Sequence, residues 1–373
     1  MADTLEVTTL DATTAEKSGD SDVLRLGFVP LTDCAPLLVA DEHGLFRRHG
    51  VNVRLSPVNA WAALRDRVAI GKHDGGQMLS PMPIASSLGL GGMATELAVV
   101  SVLARQGNTI TLSDKIMAEV AAAAPELAAL RPLPAAALAA ALARRRHLGK
   151  PTPILATVFA YSSHHYLLRH WLASAGVVPE YDVQLRVVPP PLVADELAED
   201  HIDGFCAGAP WGARAVDLDA GRIVLDTADI WPDHPEKVLA ISAERLARTP
   251  EQIAGLVAAL IEAGIWLSDP AHHAEAARLL QSRALPDVPE AVIAQSLAGR
   301  GASQFHPAAT YPHPEHGQWW LGQMQRWEHA PASAGAGLIE HIWRPDIWRR
   351  GATLAGIDTA TPALPPTPPA ALG

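Results

Sequence analysis

The sequence predicts an α/β protein of two doubly wound lobes around a cleft. Three observations carry that prediction. The chain has 373 residues, too many for one compact core and suited to two domains. Strand, helix, glycine stop and strand recur in two separate series, the pattern of βαβ units. An Ala-rich helical stretch, 113–150, separates those series.

The first series opens on the apolar strand 24–29, ended by Pro30. Thr32 or Asp33 then caps a helix running through Glu42 to His49, and Gly50 stops it. Residues 51–55 form the next strand, reached by a right-handed crossover. Asn59 caps a second helix through Trp61, Leu64, Val68 and Ile70, ended by Gly71, and a further strand spans 97–103. In the second series, strand 154–158 leads to helix 163–175, stopped by Gly176. Strand 183–188, helix 190–199 and strand 203–206 follow, then strand 223–225 and helices from Pro250 and Ala271. Trp320, Met324 and Trp327 mark one more helix within 313–329. The implied boundaries are a disordered N-terminus at 1–22, lobe I at 23–105 and 210–350, lobe II at 106–209, and a Pro-rich tail at 351–373.

Composition narrows the function. The net charge of −11 and pI near 5.8 argue against direct nucleic-acid binding, which needs a dense Lys/Arg face. One buried basic site is compatible with that balance. Cys34 and Cys206 are the only cysteines and read as free thiols. The first 22 residues carry Asp3, Glu6, Asp11, Glu16, Asp20 and Asp22 against Lys17, with neither a basic nor an apolar leader region. No membrane span is expected, and the sequence predicts a cytoplasmic protein. His-Glu-x-x-His, Cys-x-x-Cys, Gly-x-Ser-x-Gly and Walker-type phosphate loops are all missing.

Four places are suited to holding an anion. Ser162 or Ser163 is a good helix N-cap, which puts His164 in the first turn, beside free N–H groups and the positive dipole end. A cation is unfavourable there unless an anion accompanies it, so His164 reads as an anion contact or as a neutral packed histidine. Trp61 near a helix start offers an indole N–H and a flat cover, or is simply core. Gln106, Gly107 and Asn108 form a turn with amide donors, and Lys237 stands at the mouth of an apolar element. An ordinary turn and a solvated lysine are the plain alternatives.

The phrase Gly27-Phe28-Val29-Pro30-Leu31-Thr32-Asp33-Cys34-Ala35-Pro36, with Ala60-Trp61-Ala62-Ala63-Leu64-Arg65-Asp66, resembles the nitrate- and bicarbonate-binding proteins of ABC importers. So do Gln77-Met78-Leu79-Ser80-Pro81-Met82-Pro83, Ala209-Pro210-Trp211 and His234-Pro235-Glu236-Lys237-Val238-Leu239. The resemblance, running from about Leu24 to Arg350, implies a type II periplasmic-binding-protein fold. It implies Trp61, His164 and Lys237 as ligand contacts, with a glutamine in the 106–109 turn. A lysine at 237, where bicarbonate-binding members carry an acid that works with calcium, implies nitrate or nitrite with no metal or other cofactor. The chain departs from many relatives at Ala209 and Gly212, where they carry Glu and Asn.

With no leader visible, the chain is more similar to the cytosolic nitrate/nitrite sensors that hold an ANTAR-type RNA-binding antitermination protein until the anion arrives. The alternative is a periplasmic nitrate-binding subunit of an ABC importer. An enzyme of the related pyrimidine-precursor synthases would need a nucleophile paired with a base, and the sequence displays none.

Overall fold

The computed structural model describes residues 22–298 and 305–368, so most of the predicted disordered segment lies outside the described residues. Two five-stranded sheets organise the molecule. The first contains β1 (Val23–Phe28), β2 (Asn52–Pro57), β3 (Gly75–Leu79), β4 (Leu97–Arg105) and β10 (Pro235–Ser242). The second contains β5 (Asn108–Ser113), β6 (Ile154–Thr157), β7 (Gln184–Val187), β8 (Gly204–Gly208) and β9 (Gly221–Asp226). Their orders, β2-β1-β3-β10-β4 and β7-β6-β8-β5-β9, are the same topology. In each sheet four strands share one direction, and one antiparallel strand, β10 or β5, lies between the third of them and the edge strand, β4 or β9. β3 and β8, inside the sheets, are buried throughout, whereas the edge strand β2 alternates and stays partly exposed. Gly76 lets β3 approach β1, because a Cβ there would collide with the Gly27 carbonyl.

The chain crosses between lobes twice, at 106–107 and at 227–234. The second crossing therefore falls after β9 rather than at 209/210, which moves 210–226 from lobe I into lobe II. The reason is pairing: β9 lies antiparallel to β5, satisfying that strand's outer edge. The tail is corrected similarly, since the helix Pro345–Leu354 runs past 350 and packs on the core helix Pro250–Leu267. That core helix is long and apolar enough to cross a membrane by length and composition, yet two thirds of it is buried among neighbouring helices.

Ser162 caps the helix Ser163–Ala173, its Oγ accepting from the His165 N–H at 3.0 Å. Asn59 does not cap the helix Trp61–Ala69; extended Ala60 holds that place without a side-chain bond. Neither Thr32 nor Asp33 caps a helix by its side chain, because both lie in the short 3₁₀ turn Thr32–Cys34 ahead of the helix Ala35–Glu42. Cys34 and Cys206 are free and buried.

Candidate functional site

The two lobes meet over a buried polar cluster. Thr32, after β1, reaches across to lobe II, where its N–H and hydroxyl both donate to the Ala209 carbonyl at 3.1 and 3.2 Å. Beneath that contact, the Lys237 ammonium lies 2.6 Å from Glu236 Oε1 and 2.9 Å from Asp33 Oδ2. It also stands 5.6 Å from the centre of the Trp61 ring, a cation–π distance. His164 enters from lobe II, its Nε2 3.5 Å from Glu236 Oε1. Asp33, His164, Glu236 and Lys237 have no exposed surface. Asn108 of β5 completes the lobe II side: a Cβ on Gly208 would sit 3.3 Å from Asn108 Oδ1 and 3.4 Å from Asp33 Oδ2.

Burial and neighbouring charge set the protonation states. Burial pushes His164 down to about 3 against the opposing pull of Glu236, so the imidazole is neutral. Burial likewise brings His234 down to about 4. Burial alone would raise the Glu236 carboxyl, but Lys237, His164 and His234 outweigh it and hold it near about 2. The Cys206 thiol is pushed upward by burial and stays protonated. Hydrogen-bonding capacity is left over: the Trp61 and Trp211 indole N–H groups, the Asn108 amide, the Ser163 hydroxyl and both His164 nitrogens, one a donor and one an acceptor, make no hydrogen bond. Such groups, closed between two lobes, suit an acceptor-rich guest of small size.

A family model for the NMT1-like family matches residues 17–281. The chain belongs to the NMT1-like family. It is 31% identical over 388 residues to the nitrate/nitrite binding protein NrtA of Synechococcus elongatus, covering 97% of this chain and 85% of that protein. It is 36% identical over 346 residues to the nitrate import ATP-binding protein NrtC of Synechocystis, covering 87% of this chain but 49% of NrtC, so it spans about half of that protein. The crystal structure of the periplasmic nitrate-binding protein NrtA from Synechocystis PCC 6803 superposes with a TM-score of 0.80 at 28% identity, covering 89% of each chain. The fold is that of periplasmic binding proteins, two lobes of mixed sheet and helix.

Within this member of the NMT1-like family, the structure brings four of the sequence-predicted residues together: Trp61 and Lys237 from lobe I, Asn108 and His164 from lobe II. Gly107 lies at the crossing, its carbonyl accepting from the Ala209 N–H at 3.0 Å. Gln106 is placed differently. Its amide donates to Asp233 Oδ1 at 2.6 Å, joining the two crossing strands, and its φ of 55° turns the chain there. Asn108 is not in a turn but begins β5.

Sequence reasoning passed over Asp33, Glu236 and His234 as site residues. Glu236 was hidden by strand alternation, since neighbours in a strand face opposite sides. In β10 the register shifts on both sides of Lys237, and this irregularity lets Glu236 and Lys237 share one cluster. The signal available was the buried-strand context of an adjacent Glu-Lys pair.

Proposed function

We propose that this chain binds nitrate or nitrite in the cleft between its lobes. One observation carries the reading: an ammonium, an indole face and unengaged N–H and amide donors converge from both lobes, in a chain similar to NrtA over most of its length. Lys237 supplies positive charge, Trp61 covers a flat guest, and Asn108 and His164 supply lobe II contacts, so the anion joins the lobes. Closure is driven by the anion's better fit to the closed form.

Calorimetry with nitrate, nitrite and bicarbonate tests this. Nitrate or nitrite binds and bicarbonate does not; the absence of heat with both nitrogen oxyanions sinks the proposal. The names of the relatives, nitrate import and nitrate/nitrite binding, support capture for an importer ahead of the cytosolic sensor that releases an ANTAR-type partner. Cell fractionation, together with pull-down of a membrane permease or an ANTAR-type protein with and without nitrate, separates the two roles. Location follows the role: outside the membrane for capture, cytoplasm for sensing.

A further inference from the structure

The helix Ser163–Ala173 brings His164 to the polar cluster and meets lobe I a second time along another face. His165, Tyr166, Arg169 and His170 share that face at i, i+3 and i, i+4 spacing, and all four are buried. Opposite them is the end of the helix Pro314–Arg326, held to lobe I by the Trp320 indole N–H, which donates to Ser80 Oγ at 3.0 Å. The Tyr166 hydroxyl is 3.0 Å from His329 Nδ1. The Arg169 guanidinium lies 4.8 Å from the centre of the Trp327 ring, and His170 faces Trp319 at 5.9 Å between ring centres. Tyr161, ahead of the helix, meets His329 edge-on at 5.9 Å.

The lobe I side of this contact is a formed turn. Beyond Arg326 the Glu328 N–H donates to the Gln325 carbonyl at 3.0 Å and the His329 N–H to the Met324 carbonyl at 2.8 Å. This pair of bonds closes a helix end through one left-handed residue, a place usually given to glycine. Here Glu328 fills it, with φ of 58°. The turn thereby sets the Trp327 and His329 rings against the lobe II helix.

We propose that the turn 327–329 is a clasp on the helix Ser163–Ala173: His329 and Trp327 are positioning residues that hold His164 in the anion site, and protonation of His329 opens the clasp. The inference rests on the anion-binding reading above, because nitrate affinity reports where His164 stands. The groups facing His329 are His165, Tyr166 and Arg169 of the lobe II helix, Tyr161 before it and Glu180 after it, and Arg326 and Glu328 flank it in its own segment. His165 stays neutral, since its Nε2 accepts from Arg169 Nε at 2.7 Å and burial pushes it well below the ordinary histidine value. Burial and then Arg169 hold the His329 imidazole below its ordinary value, against the pull of Glu180. A proton on His329 therefore places like charge beside Arg169, and separating the two elements relieves both the repulsion and the burial.

The sign follows from linkage. Away from the lobe II helix His329 titrates near about 6.5, and in contact it titrates lower, so making the contact releases a proton. The contact, and with it nitrate affinity, is complete above about pH 6.5 and weakens as pH falls. One proton changes Kd by at most about tenfold per pH unit.

Two measurements on the full chain test the clasp: calorimetry with sodium nitrate at about pH 7.5 and about pH 5, and amide hydrogen exchange across residues 163–173, which needs no nitrate. His329 is half-buried, so replacing it leaves both cores intact. His329→Ala weakens nitrate binding roughly two- to tenfold at the higher pH and speeds exchange in the helix. His329→Gln, which offers Tyr166 both a donor and an acceptor and does not titrate, restores most of the affinity and responds less to pH than the wild type. Unchanged affinity and unchanged exchange in His329→Ala overturn the clasp. An equal pH response in wild type and His329→Gln overturns release by protonation. Faster exchange in His329→Ala, with no nitrate binding by the wild type at either pH, supports the clasp and overturns the anion reading alone.

Discussion

Lys237 has its ammonium shared between Glu236 and Asp33, away from water. Lys237→Ala therefore does two things. On the proposed reading it removes a charge-assisted contact to the anion, which weakens nitrate binding roughly ten- to a hundredfold. It also removes the buried cation that lies between Glu236 and Asp33, a change that costs about 3–5 kcal/mol of stability. Calorimetry and denaturant unfolding of the same variant measure the two effects separately, and unchanged affinity refutes the binding role. Gly212 belongs to this scale too. A Cβ there would strike Thr109 Oγ1, so a side chain at this position fits only if Thr109 moves. Gly212→Ala overpacks that contact and lowers stability by about 1–3 kcal/mol, and adding Thr109→Ala restores part of it in thermal melts.

Among the elements, the helix Ser163–Ala173 carries the lobe II half of the cluster. Its cap, the residue before a buried first turn, was legible because Ser at an N-cap satisfies an orphan N–H by a local bond alone. Ser162→Ala costs about 1 kcal/mol, and by loosening the first turn it also reduces nitrate affinity; denaturant midpoints and calorimetry check the pair. The crossing strands behave otherwise. Gln106 bonds Asp233 across the hinge, its N–H bonds the His234 carbonyl at 3.0 Å, and Arg105 donates to the Asp233 carbonyl at 2.7 Å. Gln106→Ala should thus change nitrate affinity far less than Lys237→Ala does. An equal loss in titrations would return Gln106 to the pocket. Its partner lies 127 residues along the chain, so no local pattern in the sequence announces it. The same holds for Glu236, whose orientation depends on an irregularity in β10 set by the strands on either side.

At the level of the whole molecule, the fold buries several neutral imidazoles: His164 at about 3, and His170, His234 and His313 at about 4, each lowered chiefly by burial. In the unfolded chain histidine titrates near about 6.5. Between those values the unfolded state binds more protons, so stability is full above about 6.5 and falls as pH drops toward about 4. A pH series of thermal melts checks this, with a flat profile as the contrary result. On the proposed reading, in which the folded cleft binds nitrate, nitrate at about 100 times Kd stabilises by roughly 2.7 kcal/mol, and scattering profiles become more compact on binding. The sequence by itself determined the α/β class, the two series of strands and helices and a serine cap at 162 or 163, because periodicity and capping are written locally along the chain. Only the tertiary structure decided that β9 belongs to the second lobe, that Gln106 ties the hinge, and that Asp33 and Glu236 surround Lys237. Those outcomes depend on strands and carboxylates from distant segments satisfying one another's hydrogen bonds and charge where water is excluded.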